Sequence, residues 1–134
     1  MHQSLRAKSE LMPSVLIADD NPFILETLAA RLRSNGHNVI TATNGEEAVK
    51  RGAALHPDLA ILDASMPVMS GLEAAERLHE IMPRLPIILF TAYADALRSQ
   101  SYQSGVIAIF DKSSSLSDLL DTVDESFRRS EKRA

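Results

Sequence analysis

The chain has 134 residues, of which 45% are hydrophobic and 24% charged. This length and composition are typical of one folded domain with a packed core. Its formal net charge of −4 gives no general attraction to phosphates, which argues against direct nucleic-acid binding. Cysteine is absent, which excludes disulfides, zinc–thiolate sites and thiol catalysis.

The sequence contains no apolar stretch of membrane length, and residues 1–13 lack the continuous apolar centre of a secretory signal. We therefore expect a cytoplasmic protein without membrane contact. The histidines are far apart and lack the paired spacing of a helical metal site, so we expect ordinary surface or loop residues. They are His2, His37, His56 and His79.

Five short apolar runs alternate with segments of helical periodicity, which predicts a parallel sheet covered by helices. The runs are nearly all apolar, as in strands buried on both faces. The predicted strands are Val15–Ala18, Val39–Ala42, Leu59–Leu62, Ile87–Phe90 and Val106–Phe110.

The helices are predicted from caps, prolines and apolar spacing. The first begins after the N-cap Asn21, with Pro22 at its first position, and is closed by Gly36. The fourth has the weakest periodicity and the fifth the clearest. The remaining predictions run from after Asn44 to before His56 and Pro57, from near Gly71 to before Pro83, from Ala94 to Tyr102, and from Leu116 to Phe127.

Five consecutive βα units predict a doubly wound, three-layer α/β sandwich. We expect the domain to span residues 13–129. A flexible N-terminal tail is predicted at 1–12 and a C-terminal tail at 130–134.

Polar residues stand where the predicted strands end, at the edge of a parallel sheet where ligands bind. Three of them are carboxylates, which repel one another unless a cation lies between them. Oxygen ligands of this kind suit Mg²⁺, with Mn²⁺ as an alternative. The set comprises Asp19, Asp20, Asp63, Thr91 and Lys112.

This set suits phosphoryl transfer. The carboxylate of Asp63 can act as the nucleophile and form an acyl phosphate, since it follows the central strand. The Thr91 hydroxyl and the Lys112 ammonium would contact the other phosphoryl oxygens. Each residue alone is more often a turn or cap residue, but the joint occurrence favours a functional site.

The sequence resembles the receiver domains of two-component response regulators, of the chemotaxis-receiver type. The most specific feature is Asp63 followed by Met66, Pro67 and Gly71, and the similarity spans about residues 13–127. The resemblance implies a flavodoxin-like fold with strand order 2-1-3-4-5. The matching stretches are residues 15–22, 59–71, 87–92 and 110–112.

The resemblance also implies a role for each site residue. Asp63 would accept a phosphoryl group from a phosphohistidine of a sensor histidine kinase or a phosphotransfer protein. Asp20, Asp63 and the backbone carbonyl of Ser65 would ligate Mg²⁺ directly, and Asp19 would act mainly through water.

The resemblance also implies how the phosphoryl group is sensed and how long it survives. Thr91, Ala92 and Lys112 would contact the phosphoryl group and report it to the fold. Ser65 and Tyr93 match positions that influence phosphate lifetime, although an exposed loop tyrosine without a kinetic role is equally consistent with the sequence.

Two positions depart from the family. Ile109 stands where an aromatic residue usually turns inward, and a β-branched side chain has few rotamers to exchange. Ser113 stands where the family usually has a proline that forms a cis peptide bond with the preceding lysine. A cis peptide bond before a residue other than proline costs about 2.5–4 kcal/mol. Both departures concern the relay of the signal and leave the phosphorylation residues intact.

The leading hypothesis is a signalling switch rather than a turnover enzyme. Phosphorylation would change the surface of the fourth helix, the fifth strand and the fifth helix, for a protein target, a missing output domain or a homodimer. One alternative is a degenerate receiver that binds partners without phosphorylation. A less favoured one is an aspartyl-phosphate phosphohydrolase, which would need spaced aspartates and a cap segment.

Overall fold

The computed structural model describes residues 12–98 and 105–133, in which five strands and five helices alternate. The strands are β1 (Ser14–Ala18), β2 (Asn38–Ala42), β3 (Leu59–Leu62), β4 (Ile87–Thr91) and β5 (Val106–Asp111). The helices are α1 (Pro22–Ser34), α2 (Gly45–Leu55), α3 (Gly71–Ile81), α4 (Ala94–Arg98) and α5 (Leu116–Arg133). The predicted continuation of α4 to Tyr102 lies outside the described residues.

The strands form one parallel sheet in the order β2-β1-β3-β4-β5, which confirms the predicted fold. The order reverses between β1 and β3, and ligands of doubly wound sheets bind at such a reversal. Ala18 pairs with Leu62 at the ends of these two strands. The residues that follow β1 and β3 are therefore neighbours at the same edge of the sheet.

Side chains alternate between the two faces of the sheet, and each face has its own apolar cluster. Helices α1 and α5 cover one face, and helices α2, α3 and α4 cover the other. The fully buried large side chains are Leu16, Ile17, Leu28, Leu32, Leu59, Ile61, Leu62, Leu78, Ile87, Ile88, Leu89 and Leu119. This core on both sides of the sheet fixes the strand ends that position the site.

Short polar side chains begin three of the helices. Asn21 accepts hydrogen bonds from the amides of Phe23 and Ile24, at 3.0 and 3.3 Å, and so caps α1 as predicted. Asn44 and Ser70 cap α2 and α3 in the same way. These caps fix where the helices start, and the loops before α1 and α3 hold polar residues of the site.

The pairing of β4 with β5 is irregular. Ile87 pairs with Val106 and Ile88 pairs with Ala108, so Ile107 is left between them as a bulge. Its side chain is 52% exposed. Strand β5 is the edge of the sheet, and bulges are common on edge strands because they interrupt pairing with another chain.

His37 lies in the loop between α1 and β2, in line with the expectation of surface or loop histidines, but its side chain is buried. Its Nε2 lies 3.4 Å from Asp124 Oδ1, and its ring centroid lies 5.2 Å from that of Phe127. The imidazole therefore fills the space between the turn after α1 and helix α5. His2 lies outside the described residues.

Helix α5 continues to Arg133, so the segment predicted as a C-terminal tail is helical up to that residue. The predicted N-terminal tail falls outside the described residues except for Met12. Among the helices of the described ranges, none combines the length and apolar character needed to cross a membrane.

Candidate functional site

Three carboxylates meet at the carboxyl edge of the sheet. One oxygen from each of Asp19, Asp20 and Asp63 lies within 4.8 Å of the others. Asp19 and Asp20 follow β1, and Asp63 follows β3, so the parallel pairing of these strands brings them together. Asp19 and Asp63 are buried, whereas Asp20 is exposed at the mouth of the site.

Lys112 joins two of these carboxylates. Its Nζ lies 2.8 Å from Asp19 Oδ2 and 2.8 Å from Asp63 Oδ2. The residue comes directly after β5, and its backbone amide donates to the carbonyl of Thr91 at 3.0 Å. This backbone bond holds the start of the β5–α5 loop against the end of β4, which directs the lysine across the edge.

The backbone holds both buried aspartates in place. The amide of Asp63 donates to the carbonyl of Ala18 at 2.9 Å, which continues the ladder between β1 and β3. Asp63 Oδ1 accepts from the amide of Ser65 at 3.1 Å, and Asp19 Oδ1 accepts from the amide of Asn21 at 2.9 Å. Each aspartate therefore uses one oxygen for its loop and the other for Lys112.

Burial and hydrogen bonding have opposite effects on the pKa values of Asp19 and Lys112. Burial raises the pKa of Asp19 above its ordinary value, although the hydrogen bond from Lys112 opposes this change. Burial alone would lower the pKa of Lys112, but hydrogen bonds to Asp19 and Asp63 outweigh it, so the pKa of Lys112 is raised. The ammonium is therefore held in its charged form.

The donor set fits a small divalent cation. Three carboxylates and one ammonium leave two formal negative charges, which a single Mg²⁺ would balance. Mg²⁺ prefers a few carboxylate oxygens and retains several waters, and the exposed side of Asp20 leaves room for them.

Thr91 is the last residue of β4 and is fully buried. Its hydroxyl oxygen accepts a hydrogen bond from the amide of Tyr93 at 3.2 Å. The hydroxyl thus contacts the loop that leads into α4, while the carbonyl of the same residue accepts from Lys112. Thr91 links the edge of the sheet to the start of α4.

The remaining predicted residues lie on the loops around the carboxylates. Ser65, Ala92 and Tyr93 are exposed, and the tyrosine side chain keeps 63% of its accessible surface. The roles predicted for them, including the Ser65 carbonyl as a metal ligand, stay predictions.

The β3–α3 loop is tightly packed and strained. A Cβ atom at Gly71 would collide with the backbone carbonyl of Asp63, so only glycine allows α3 to start this close to the site. Val68 has φ of 70°, a left-handed conformation that is unfavourable for a β-branched residue. Its side chain is 75% exposed.

The two departures from the family pattern have clear structural positions. Ile109 is only 7% exposed and belongs to the apolar cluster beneath α2, α3 and α4. The Lys112–Ser113 bond is not cis. Instead, the Asp111 carboxylate accepts from the hydroxyl and amide of Ser113, at 2.6 and 2.8 Å, and these bonds lower the pKa of Asp111.

One contact that the sequence does not predict joins α4 to β5. Arg98, in α4, donates from Nη2 to the carbonyl oxygen of Ile109 at 2.9 Å and from Nη1 to Asp95 Oδ1 at 2.9 Å. Nothing in the local sequence indicates it, because Arg98 looks like a solvent-facing residue on a short polar helix.

The fold agrees with comparisons to known proteins. Residues 15–124 match the family model of the response regulator receiver domain. The chain is 38% identical over 79 residues to the probable transcriptional regulatory protein TcrX of Mycobacterium tuberculosis, covering 59% of this chain and 34% of that protein. It spans about a third of the length of such curated relatives.

Solved structures show the same likeness. A CheY-like receiver domain protein from Methanospirillum hungatei superposes with a TM-score of 0.85 at 29% identity, covering 92% of this chain and 99% of that one. TrrA from Thermotoga maritima, solved in complex with Mg²⁺-BeF, superposes with a TM-score of 0.79 at 36% identity, covering 86% and 99%. This chain belongs to the family of response regulator receiver domains.

Proposed function

We propose that Asp63 accepts a phosphoryl group in a Mg²⁺-dependent reaction and that its phosphorylation changes the surface formed by α4, β5 and α5. The donor would be a phosphohistidine of a sensor histidine kinase or a phosphotransfer protein. One observation supports this most strongly, namely the Lys112 ammonium 2.8 Å from both Asp19 and Asp63, beside the carboxylate of Asp20.

The metal would be held by Asp20, Asp63 and the backbone carbonyl of Ser65. Asp19 would act mainly through water, as the resemblance to receiver domains implies. The Mg²⁺-BeF complex of TrrA supports the choice of ion. When bound, Mg²⁺ would neutralise charge on the phosphoryl oxygens.

The transfer would form one bond at Asp63 and break one in the donor. A carboxylate oxygen of Asp63 attacks phosphorus, the N–P bond of the phosphohistidine breaks, and its electron pair returns to the imidazole nitrogen. Lys112 would leave the Asp63 carboxylate to contact a phosphoryl oxygen, and Thr91 and Ala92 would contact the others. Ser65 and Tyr93, on the exposed loops, would modulate the lifetime of the acyl phosphate.

The effect of the switch would depend on a partner. TcrX is a probable transcriptional regulator of which this chain spans a third, which supports an output domain or a separate protein target for the α4–β5–α5 surface. A homodimer through the same surface is a further proposal. The negative net charge supports the absence of direct nucleic-acid binding by this chain.

The test is phosphorylation by a small donor. The wild type is incubated with acetyl phosphate and Mg²⁺, and its intact mass is measured beside Asp63→Asn and Asp121→Asn, the latter an exposed aspartate on α5. We expect one added phosphoryl group in the wild type and in Asp121→Asn. We expect none in Asp63→Asn, nor in any variant when EDTA removes Mg²⁺.

A wild type that stays unmodified with both acetyl phosphate and a phosphorylated histidine kinase would contradict the proposal. It would favour the second candidate, a receiver that binds partners without phosphorylation. The observation that favours this candidate is the buried Ile109, which takes the place of the aromatic residue in the family's relay.

A further inference from the structure

The contact between Arg98 and β5 lies at the edge of the sheet. The amide of Lys112 points toward β4, because it donates to Thr91, and successive residues of a strand alternate in direction. The carbonyl of Ile109 therefore points away from β4, on the side where β5 has no neighbouring strand. Arg98 Nη2 supplies its hydrogen bond at 2.9 Å.

The Arg98 bond belongs to α4. Within the described residues, α4 is the only helix whose start is hydrogen-bonded to the Thr91 hydroxyl. That hydroxyl accepts from the amide of Tyr93, one residue before α4 begins, and Arg98 ends the described part of α4. The described part of α4 is therefore held at two points, by Thr91 at its start and by the Ile109 carbonyl through Arg98.

The side chain of Ile109 is poorly suited to transmit a signal by changing its rotamer. It is buried in the cluster that includes Ala94 of α4, and its branched Cβ restricts χ1. A change at Thr91 would therefore reach β5 through the position of α4 itself. Movement of α4 relative to β5 must alter the contact between Arg98 and the Ile109 carbonyl, since the bond spans the two elements.

A second acceptor lies nearby for the displaced guanidinium. Asp111 is two residues further along β5, so its side chain lies on the same face of the sheet as that of Ile109. Hydrogen bonds from Ser113 lower its pKa most, and the charge of Arg98 adds to this effect. The negative charge of Asp111 is therefore available to attract Arg98 if the bond to Ile109 is broken.

We propose that the hydrogen bond from Arg98 to the Ile109 carbonyl, here called the Arg98 latch, holds α4 against β5 in the unphosphorylated state. Its release couples phosphorylation to the α4–β5–α5 surface. This inference rests on the proposed function. When the Thr91 hydroxyl turns to a phosphoryl oxygen, Tyr93 loses its acceptor, α4 shifts and the latch opens. Arg98 is thus a positioning residue for the switch and does not touch the phosphoryl group.

The experiment titrates the whole chain with beryllofluoride at saturating Mg²⁺ and follows backbone amides by ¹H–¹⁵N NMR. A contact present only in the resting state stabilises that state, so its removal favours the other. We expect Arg98→Ala to lower the half-saturating beryllofluoride concentration about fivefold, the effect of one ordinary hydrogen bond. Without beryllofluoride, its β5 amides should already be shifted toward the saturated wild-type positions.

Two further variants make the result specific. Asp95→Asn removes the other partner of the guanidinium, a 97% exposed carboxylate, and should leave the half-saturating concentration unchanged. Arg98→Lys keeps the charge and the helix but lacks the planar two-pronged donor. It should give a smaller shift in the same direction as Arg98→Ala, and it provides the test if the alanine variant does not fold.

An unchanged or raised half-saturating concentration in folded Arg98→Ala and Arg98→Lys would overturn the latch, because a purely structural contact acts equally in both states. Failure of the proposed function would look different. In that case the wild type itself would show no beryllofluoride-dependent change at the amides of Asp63 and Ser65.

Discussion

Two regions of this protein have different structural requirements. They are the carboxylate edge, where Asp19, Asp20, Asp63 and Lys112 meet, and the α4–β5 edge, where Arg98 contacts Ile109. At the carboxylate edge, Asp19, Asp63 and Lys112 are joined by bonds of 2.8 Å and supported by the backbone of two central strands. At the α4–β5 edge, an arginine that is 43% exposed makes the connection. Phosphoryl transfer needs fixed positions, whereas a relay needs only two arrangements of similar free energy.

This difference explains why the departures from the family pattern cluster in one region. Ile109 and Ser113 lie on β5 and in the loop after it, and Ile107 forms a bulge on the same strand. The carboxylates and Lys112 lack such departures. We expect the α4–β5 edge to have lower local stability than the carboxylate edge, because fewer of its side chains are buried and the pairing of β4 with β5 is interrupted.

The largest effect should come from Lys112→Ala. The variant loses the cation that contacts the phosphoryl oxygens and leaves Asp19 and Asp63 facing each other without a counter-charge. We expect phosphorylation by acetyl phosphate to slow by about 10²- to 10³-fold, as for other lost electrostatic contacts. The rate is read from the time course of intact mass. Lys50→Ala, an exposed lysine of α2, is the control, and equal rates in both variants would contradict the role of Lys112.

Two isoleucines separated by one residue on β5 sharpen the comparison. Ile109→Ala removes a buried side chain and should lower the free energy of unfolding by about 2–4 kcal/mol. Ile107→Ala removes a half-exposed side chain at the bulge and should cost less than about 1 kcal/mol. Urea denaturation measures both. Similar losses would mean that the bulge does not separate the two environments.

Gly71→Ala tests how closely α3 approaches the site. The added Cβ would meet the carbonyl of Asp63, so the strand end or the helix start must shift. We expect a loss of about 1–3 kcal/mol in unfolding free energy together with slower phosphorylation. The matched control is Glu76→Ala, an exposed position of the same helix, which should affect neither measurement.

The smallest effect is expected at Val68, where the strain is local. Asparagine tolerates a left-handed backbone better than valine, so Val68→Asn should raise the free energy of unfolding by about 1 kcal/mol. The same change at Val39, in the extended strand β2, should destabilise the protein. A loss of stability in Val68→Asn would mean that the exposed side chain makes a contact that outweighs the strain.

Most of the fold could be predicted because local sequence patterns determine the strands and the helix starts. Apolar runs gave the strands, and caps such as Asn21 gave the helix starts within a residue. The site could be predicted in outline because parallel strands align their ends, so residues after β1, β3 and β5 had to converge.

Contacts between distant side chains leave no such pattern. The burial of His37 depends on Phe127, and the bond of Arg98 depends on the direction of a carbonyl in β5. The helical end of α5 was missed for another reason. Residues 130–133 have no apolar periodicity, but lysine, arginine and glutamate favour helix once a preceding helix can extend.

The most direct test of the phosphorylation mechanism identifies the modified residue itself. The phosphorylated chain is reduced with borohydride, which converts an aspartyl phosphate into homoserine, and the peptides are sequenced by mass spectrometry. We predict homoserine at Asp63 and unmodified aspartate at Asp19 and Asp20. Homoserine at either of the other two positions, or its absence from a chain that has gained a phosphoryl group, would contradict the assignment of Asp63 as the acceptor.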